Sequence, residues 1–266
     1  MYRRTKIVAT VGPASESDQM LLALMEAGAD VFRLNFSHGD HAGKARIIRR
    51  LRELSRQRRQ AVAILADLQG PKIRVGHLRD GALPLRTGQE VVLTTREVLG
   101  EGTIIPSDYK GLPKDVKPGD AILLDDGLLE LRALAVTVED VRCQVVVGGT
   151  LKDRKGINLP GARVSIPAMT EKDLDDLRFC LGQEIDYLAL SFVQQAADVL
   201  ELKERLYREK SGIRVIAKIE KPQAVEDFAA ILAAADGIMV ARGDLGVEMN
   251  PEKVPLIQKR IIRMCN

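Results

Sequence analysis

Apolar and polar positions follow two different rhythms along the chain. Ile7-Val8-Ala9-Thr10-Val11 reads as a strand that Gly12-Pro13 breaks. Ser17 is placed to cap a helix that runs to Glu26, with Gly28 beyond its end. Val31-Phe32-Arg33-Leu34-Asn35 predicts a second strand. Residues 40–59 predict a helix with Ile47, Ile48, Leu51 and Leu54 on one face, and 61–66 a third strand. The same rhythm returns late. A helix opens after Thr170 with Glu171-Lys172-Asp173-Leu174. Strands follow at 187–191, 214–219 and 237–241, alternating with helices at 196–209, 223–234 and 251–264, the last with Pro251 in its first turn. Six strand-helix units in all give the pattern of a parallel sheet covered by helices.

Between the halves the period shortens. Residues 73–167 show β-rich runs such as Glu90-Val91-Val92-Leu93-Thr94 and Gln144-Val145-Val146-Val147, and no amphipathic helix of normal length. The turn dipeptides Asp80-Gly81, Pro118-Gly119, Asp126-Gly127 and Gly148-Gly149 punctuate them. The simplest organisation is α/β, with an all-β domain inserted after the third strand: 1–71, 72–167 and 168–266. Eight units close a (β/α)₈ barrel, so six leave either an incomplete TIM barrel or an open, doubly wound sheet. Arg33 and Asn35 end the second strand, and Asp67 follows the third. Lys218 and Glu220 end the fifth, and Arg242 and Asp244 follow the sixth. Chemistry at the C-terminal ends of several strands is how a barrel builds a site.

Composition narrows the class. Hydrophobic residues make up 45% and charged residues 29%, too apolar for a disordered chain. Lys and Arg total 40 against 37 Asp and Glu, and a net charge of +3 does not imply nucleic acid. The helix from Lys44 to Arg59 carries eight basic residues and one acid, without interleaved aromatics, which fits a solvated face. Cys143, Cys180 and Cys265 are scattered, and with His38, His41 and His77 they form no zinc-ligand spacing. Scattered thiols fit a reducing, cytoplasmic setting. The start, Met1-Tyr2-Arg3-Arg4-Thr5-Lys6, is basic, but the apolar run after it is too short for a signal-peptide core. No stretch approaches about 20 apolar residues, so no membrane span is expected.

Three motifs carry candidate chemistry. Strand alternation puts Lys218 and Glu220 on one face, as a hard-cation ligand beside an anion-stabilising ammonium or as a plain ion pair. Ala241-Arg242-Gly243-Asp244-Leu245-Gly246 follows an apolar strand. It reads as a loop with an N-cap, or as a turn whose glycines admit a ligand while Asp244 binds Mg²⁺. Arg33-Leu34-Asn35-Phe36-Ser37-His38-Gly39 sets a planar, permanently charged fork in a strand, where an unpaired Arg is costly. His38 is either a general base or a satisfied loop histidine. Neither GxxxxGK[ST] nor GxGxxG occurs.

Taken in order, these stretches resemble one family. Residues 5–15 (TKIVATVGPAS), 32–39 (FRLNFSHG), 70–74 (GPKIR), 155–161 (KGINLPG), 218–220 (KIE) and 237–248 (GIMVARGDLGVE) are similar to the corresponding stretches of pyruvate kinases across essentially the whole chain. The resemblance implies a (β/α)₈ barrel with an inserted β-domain, and phosphoryl transfer from phosphoenolpyruvate to ADP giving pyruvate and ATP. It implies Mg²⁺ or Mn²⁺ on Glu220 and Asp244, and Lys218 beside the transferring phosphoryl group. It implies Arg33 on the phosphate, and the backbone at Gly243 and Asp244 near the substrate carboxylate. Arg74 and Lys155 match nucleotide-contacting positions, with Asn35 nearby. Many members are tetramers, so a cytoplasmic homo-oligomer acting in glycolysis is expected. A non-catalytic Mg²⁺- or phosphate-binding module is a second reading. Another metal-dependent barrel handling phosphoenolpyruvate or pyruvate is a third, which would not require the inserted domain.

The sequence departs from the family pattern twice. Members continue past the position of Asn266 through further strand-helix units and a C-terminal domain, and a threonine on the seventh strand helps protonate the enolate. The expectation is a chain poorly active alone. At the third strand's exit the chain reads Asp67-Leu68-Gln69-Gly70-Pro71-Lys72, where the commoner pattern has a Glu at the place of Lys72. In that pattern K⁺ sits at positions matching Asn35, Ser37, Asp67 and Leu68. The resemblance is to the minority that works without K⁺, with the Lys72 ammonium as the substitute charge.

Overall fold

The structure is a computed structural model and describes residues 4–162 and 164–266. Met1, Tyr2 and Arg3 of the basic start lie outside the described residues. Two compact units are present. The first runs to Gly70 and resumes over Ala168–Ile219 and Asp227–Met239; the second comprises Pro71–Pro167, Glu220–Glu226 and Val240–Asn266.

The first unit opens with β1 (Val8–Val11), α1 (Asp18–Glu26), β2 (Val31–Asn35), α2 (His41–Arg58) and β3 (Ala63–Asp67). Ser17 caps α1 by accepting the Met20 amide, and Asp40 caps α2 by accepting that of Gly43. Leu21 and Met25 of α1 and Ile48, Leu51 and Leu54 of α2 are buried, at the spacing of one helical face.

The β-rich stretch follows: β4 (Ala82–Leu85), β5 (Glu90–Thr94), β6 (Ile104–Pro106), the single turn α3 (Leu112–Asp115), β7 (Ala121–Leu124), β8 (Leu129–Val136), β9 (Asp140–Val147), β10 (Gly149–Lys152) and β11 (Ile157–Asn158). One six-stranded sheet has the order β11-β7-β8-β9-β5-β6, and β10 pairs with β4. Alternate residues of β8 and β9 point into a core that includes Val91, Leu93, Ile105, Ile122, Leu131 and Val141. The β7–β8 tip is Asp125-Asp126-Gly127, all three with positive φ, as an Asp-Gly turn requires.

The chain then continues with α4 (Glu171–Leu181), β12 (Tyr187–Leu190), α5 (Ala196–Arg208), β13 (Arg214–Ile219), α6 (Pro222–Glu226), α7 (Phe228–Ala234), β14 (Gly237–Val240), α8 (Arg242–Glu248) and α9 (Val254–Cys265). Strands β1-β2-β3-β12-β13-β14 form a six-stranded sheet in chain order. The order never reverses, as it does at the switch point of a doubly wound sheet. In β3, Ile64, Leu65 and Ala66 are buried in succession, as in parallel strands covered on both faces, and Asp67 is buried at its end. The helix expected over 223–234 is two helices, because Asp227 leaves helical geometry and its carboxylate accepts the first amide of α5, at Ala196 (2.8 Å). The helix expected over 251–264 opens as a 3₁₀ turn, Pro251–Lys253, before α9. Among the described residues no helix is long and apolar enough to cross a membrane.

Candidate active site

The first unit gathers charged strand ends around one carboxylate. Parallel pairing of β2, β3 and β12 places Asn35, Asp67 and Ala189 in one row, and Leu190 faces Ala217 on β13. Asp67 is only 1% exposed. Its Oδ2 accepts from Arg33 Nε at 2.7 Å and lies 2.5 Å from Arg33 Nη2. Its Oδ1 is 3.2 Å from Lys218 Nζ and 3.5 Å from Ser191 Oγ. Lys218 donates to Ser191 Oγ at 2.8 Å, and that hydroxyl donates to the Leu68 carbonyl at 2.7 Å. Arg33 also reaches Thr10 Oγ1 on β1 at 2.9 Å. The arginine inside a strand is therefore paired. Asp67 thus fixes the directions of two cationic donors, which suits recognition of a phosphate or carboxylate.

The same row is braced from behind. Gly70 has φ +69°, and a Cβ there would lie 2.8 Å from Ser191 Cβ, so only glycine lets the chain leave β3 past Ser191. The Gly70 amide donates to Asp173 Oδ1 at 3.0 Å. Asp173 is fully buried and closes a capping box with Thr170 at the start of α4. Asn35 Oδ1 accepts the Ser37 amide at 2.9 Å, bringing those two positions into one turn.

The second unit holds the other candidates. Glu220 is 1% exposed, Asp244 is half-buried in the first turn of α8, and Gly243 beside it is exposed. Among the described residues no three or more His, Cys, Asp or Glu side chains cluster as metal ligands. Two carboxylates are not an all-protein cage for zinc or calcium. They do fit Mg²⁺, which binds one or two carboxylates and keeps water and substrate oxygens for the rest. In the β-rich stretch Arg74 pairs with Gly156, and the Lys155 carbonyl accepts the Val75 amide at 2.8 Å. Arg74 and Lys155 therefore stand on adjacent paired segments. The Lys155 ammonium lies 2.8 Å from Asp125 Oδ1, and this hydrogen bond raises its pKa above the ordinary lysine value. Lys72 runs over the bare Gly156 backbone, where a Cβ would meet its Cε at 3.2 Å.

Several participants gave no sequence signal. Ser191 ends a predicted strand without a motif, and its contact with Lys218 arises only from register. Lys221 and Glu248, buried and joined, stand just outside the residues read as chemistry. Beside His38, a candidate base in the sequence, His41 is engaged. It stacks on Phe179 with centroids 4.4 Å apart, and its Nε2 lies 2.7 Å from the buried Asp176, which also pairs with Lys172 at 2.6 Å.

Comparison with known proteins gives one consistent answer. The family model described as "Pyruvate kinase, barrel domain" matches residues 2–266. The pyruvate kinases of Staphylococcus aureus strains USA300 and NCTC 8325 are each 46% identical over 266 residues, covering 99% of this chain and 46% of the relative. The chain thus spans about half the length of the curated relatives it matches. A crystal structure of a pyruvate kinase from Cryptosporidium parvum superposes with a TM-score of 0.95 at 38% identity, covering 99% of this chain and 55% of that one.

Proposed function

The chain belongs to the pyruvate kinase family, and we propose that the protein carrying it transfers the phosphoryl group of phosphoenolpyruvate to ADP, giving pyruvate and ATP in glycolysis. The observation that carries this reading is the pairing of Arg33 and Lys218 on one buried carboxylate. Phosphoryl transfer needs positioning and charge neutralisation more than covalent chemistry. Arg33 binds the phosphate with a planar fork that Asp67 and Thr10 hold still. Lys218, fixed by Asp67 and Ser191, presents its ammonium to the group in transit and stabilises the charge on its oxygens. The backbone at Gly243 and Asp244 contacts the substrate carboxylate, and Arg74 and Lys155, with Asn35, contact the nucleotide. Glu220 and Asp244 hold Mg²⁺ or Mn²⁺, which when bound neutralises phosphate oxygens and orients the substrate. Asn35, Ser37, Asp67 and Leu68 correspond to the monovalent-cation positions, and Lys72 takes the place of K⁺.

The strand order supports a (β/α)₈ barrel of which this chain supplies six units, with a β-domain inserted at 72–167 between barrel segments 1–71 and 168–266. The whole protein is a cytoplasmic homo-oligomer. The test couples pyruvate formation to NADH oxidation in the intact protein. Lys218→Met is expected to abolish turnover and spare Mn²⁺ binding, whereas Glu220→Gln and Asp244→Asn each weaken Mn²⁺ binding. Turnover unchanged in Lys218→Met overturns the assignment. A protein that binds Mn²⁺ and phosphoenolpyruvate but forms no pyruvate is instead the binding module.

A further inference from the structure

Lys221 and Glu248 form a buried ion pair that the chemistry above does not use. Lys221 is 7% exposed and Glu248 3%. Lys221 Nζ donates to Glu248 Oε1 at 2.6 Å, and the Asn158 carboxamide on β11 donates to the same oxygen at 2.8 Å. Glu248 Oε2 is buried and accepts no hydrogen bond among the described residues. Taking two charges out of water is costly, and a well-packed apolar pair in their place is often as stable or more so. A carboxylate satisfied on one oxygen only is not optimised for stability. The pair is better explained by what it fixes.

Its two ends adjoin the two carboxylates assigned to the divalent cation. Lys221 follows Glu220 directly, and Glu248 lies four residues after Asp244 on α8, one turn along the same face. We propose that the Lys221–Glu248 pair, anchored by Asn158, is a positioning clamp that sets the separation and direction of the Glu220 and Asp244 carboxylates for the cation. This rests on the reading that those two carboxylates hold the metal. Lys221 draws the residue after β13 onto the last turn of α8, so the first turn, with Asp244, is held in register with Glu220. Positioning groups of this kind commonly carry about 10–100-fold in metal affinity.

The decisive variant is Lys221→Met combined with Glu248→Met, which removes both charges together and so leaves neither buried and unpaired. It is made in the intact protein beside Lys221→Arg and Glu220→Gln. Mn²⁺ affinity is read from the free-ion electron paramagnetic resonance signal, and stability from chemical denaturation. The clamp predicts that the double variant keeps wild-type stability or gains some, yet binds Mn²⁺ about 10-fold or more weakly. Lys221→Arg, which preserves the pair, is expected to retain most of the affinity. A double variant that binds Mn²⁺ within about twofold of wild type overturns the clamp while leaving the metal assignment intact, provided Glu220→Gln weakens binding; twofold is small against the 10-fold expected. Unchanged binding in Glu220→Gln removes the metal assignment itself and the clamp with it.

Discussion

The Lys218 ammonium lies 3.2 Å from Oδ1 of Asp67, while the other oxygen of that carboxylate is taken by Arg33. One buried anion therefore serves two cations, and the consequences of removing each partner are unequal. Asp67→Asn removes the anion that both cations share, and breaking a buried pair in this way costs about 3 kcal/mol or more. Lys218→Met leaves Asp67 still bound by the Arg33 fork, so its cost is expected to be clearly smaller. Urea unfolding of the two variants gives the order directly. Equal losses would mean that Asp67 does not anchor both groups.

The thiols offer a check on the cores of both units. Cys143 on β9 and Cys180 on α4 are buried, and burial pushes each from an ordinary value of 9.0 up to about 12. Cys265 at the end of α9 is exposed. At pH 8 one equivalent of thiol is expected to react promptly with a disulfide reagent, and two more only after denaturant is added, because the attacking species is the thiolate. The same shift sets a direction for pH. The unfolded chain ionises these thiols above about pH 9, the folded chain only near 12. Their contribution to stability is thus whole below about pH 9 and is lost as pH rises toward 12. A denaturation midpoint that rises as pH climbs from about 9 toward 12 would contradict this.

Periodicity made the architecture legible because the parallel strands are short, mainly apolar runs between amphipathic helices, whereas the β-rich stretch alternates. The long helix after β2 buries Ile48, Leu51 and Leu54 as its spacing predicted, while Ile47, read onto the same face, is only half-buried. The break at Asp227 was not legible, since the competing partner, the Ala196 amide, lies 31 residues away. The site shows the same limit. Arg33, Asp67 and Lys218 stood out as charges at apolar strand ends, but their convergence depends on register, which places Asn35 opposite Asp67 and Asp67 opposite Ala189. Ser191 and Glu248 were unreadable for that reason: each acts through a partner distant in the chain. Lys221 was unreadable because a lysine after a strand is ordinarily solvated.

Lys72 carries the last prediction. Its stem passes over Gly156, where a Cβ would come within 3.2 Å of Cε and 3.9 Å of Nζ, so the glycine keeps room for it. By resemblance this position bears a glutamate in the family members that need K⁺, together with oxygens matching Asn35, Ser37, Asp67 and Leu68. A tethered ammonium delivers the same single positive charge as the bound ion without the cost of capturing it from solution. The intact protein is therefore expected to show near-full activity in tetramethylammonium buffer free of K⁺. Lys72→Glu replaces the fixed cation with an anion, and activity should then fall and recover on adding K⁺. Gly156→Val narrows the space for the lysine stem and should lower activity in a way that added K⁺ does not restore, since the ammonium is displaced but not removed. The readout is pyruvate formation across a K⁺ titration for all three proteins. A wild-type protein that is inactive until K⁺ is supplied would show that Lys72 does not substitute for the ion. A Lys72→Glu variant as active as wild type without K⁺ would show that no monovalent charge is needed at that place at all.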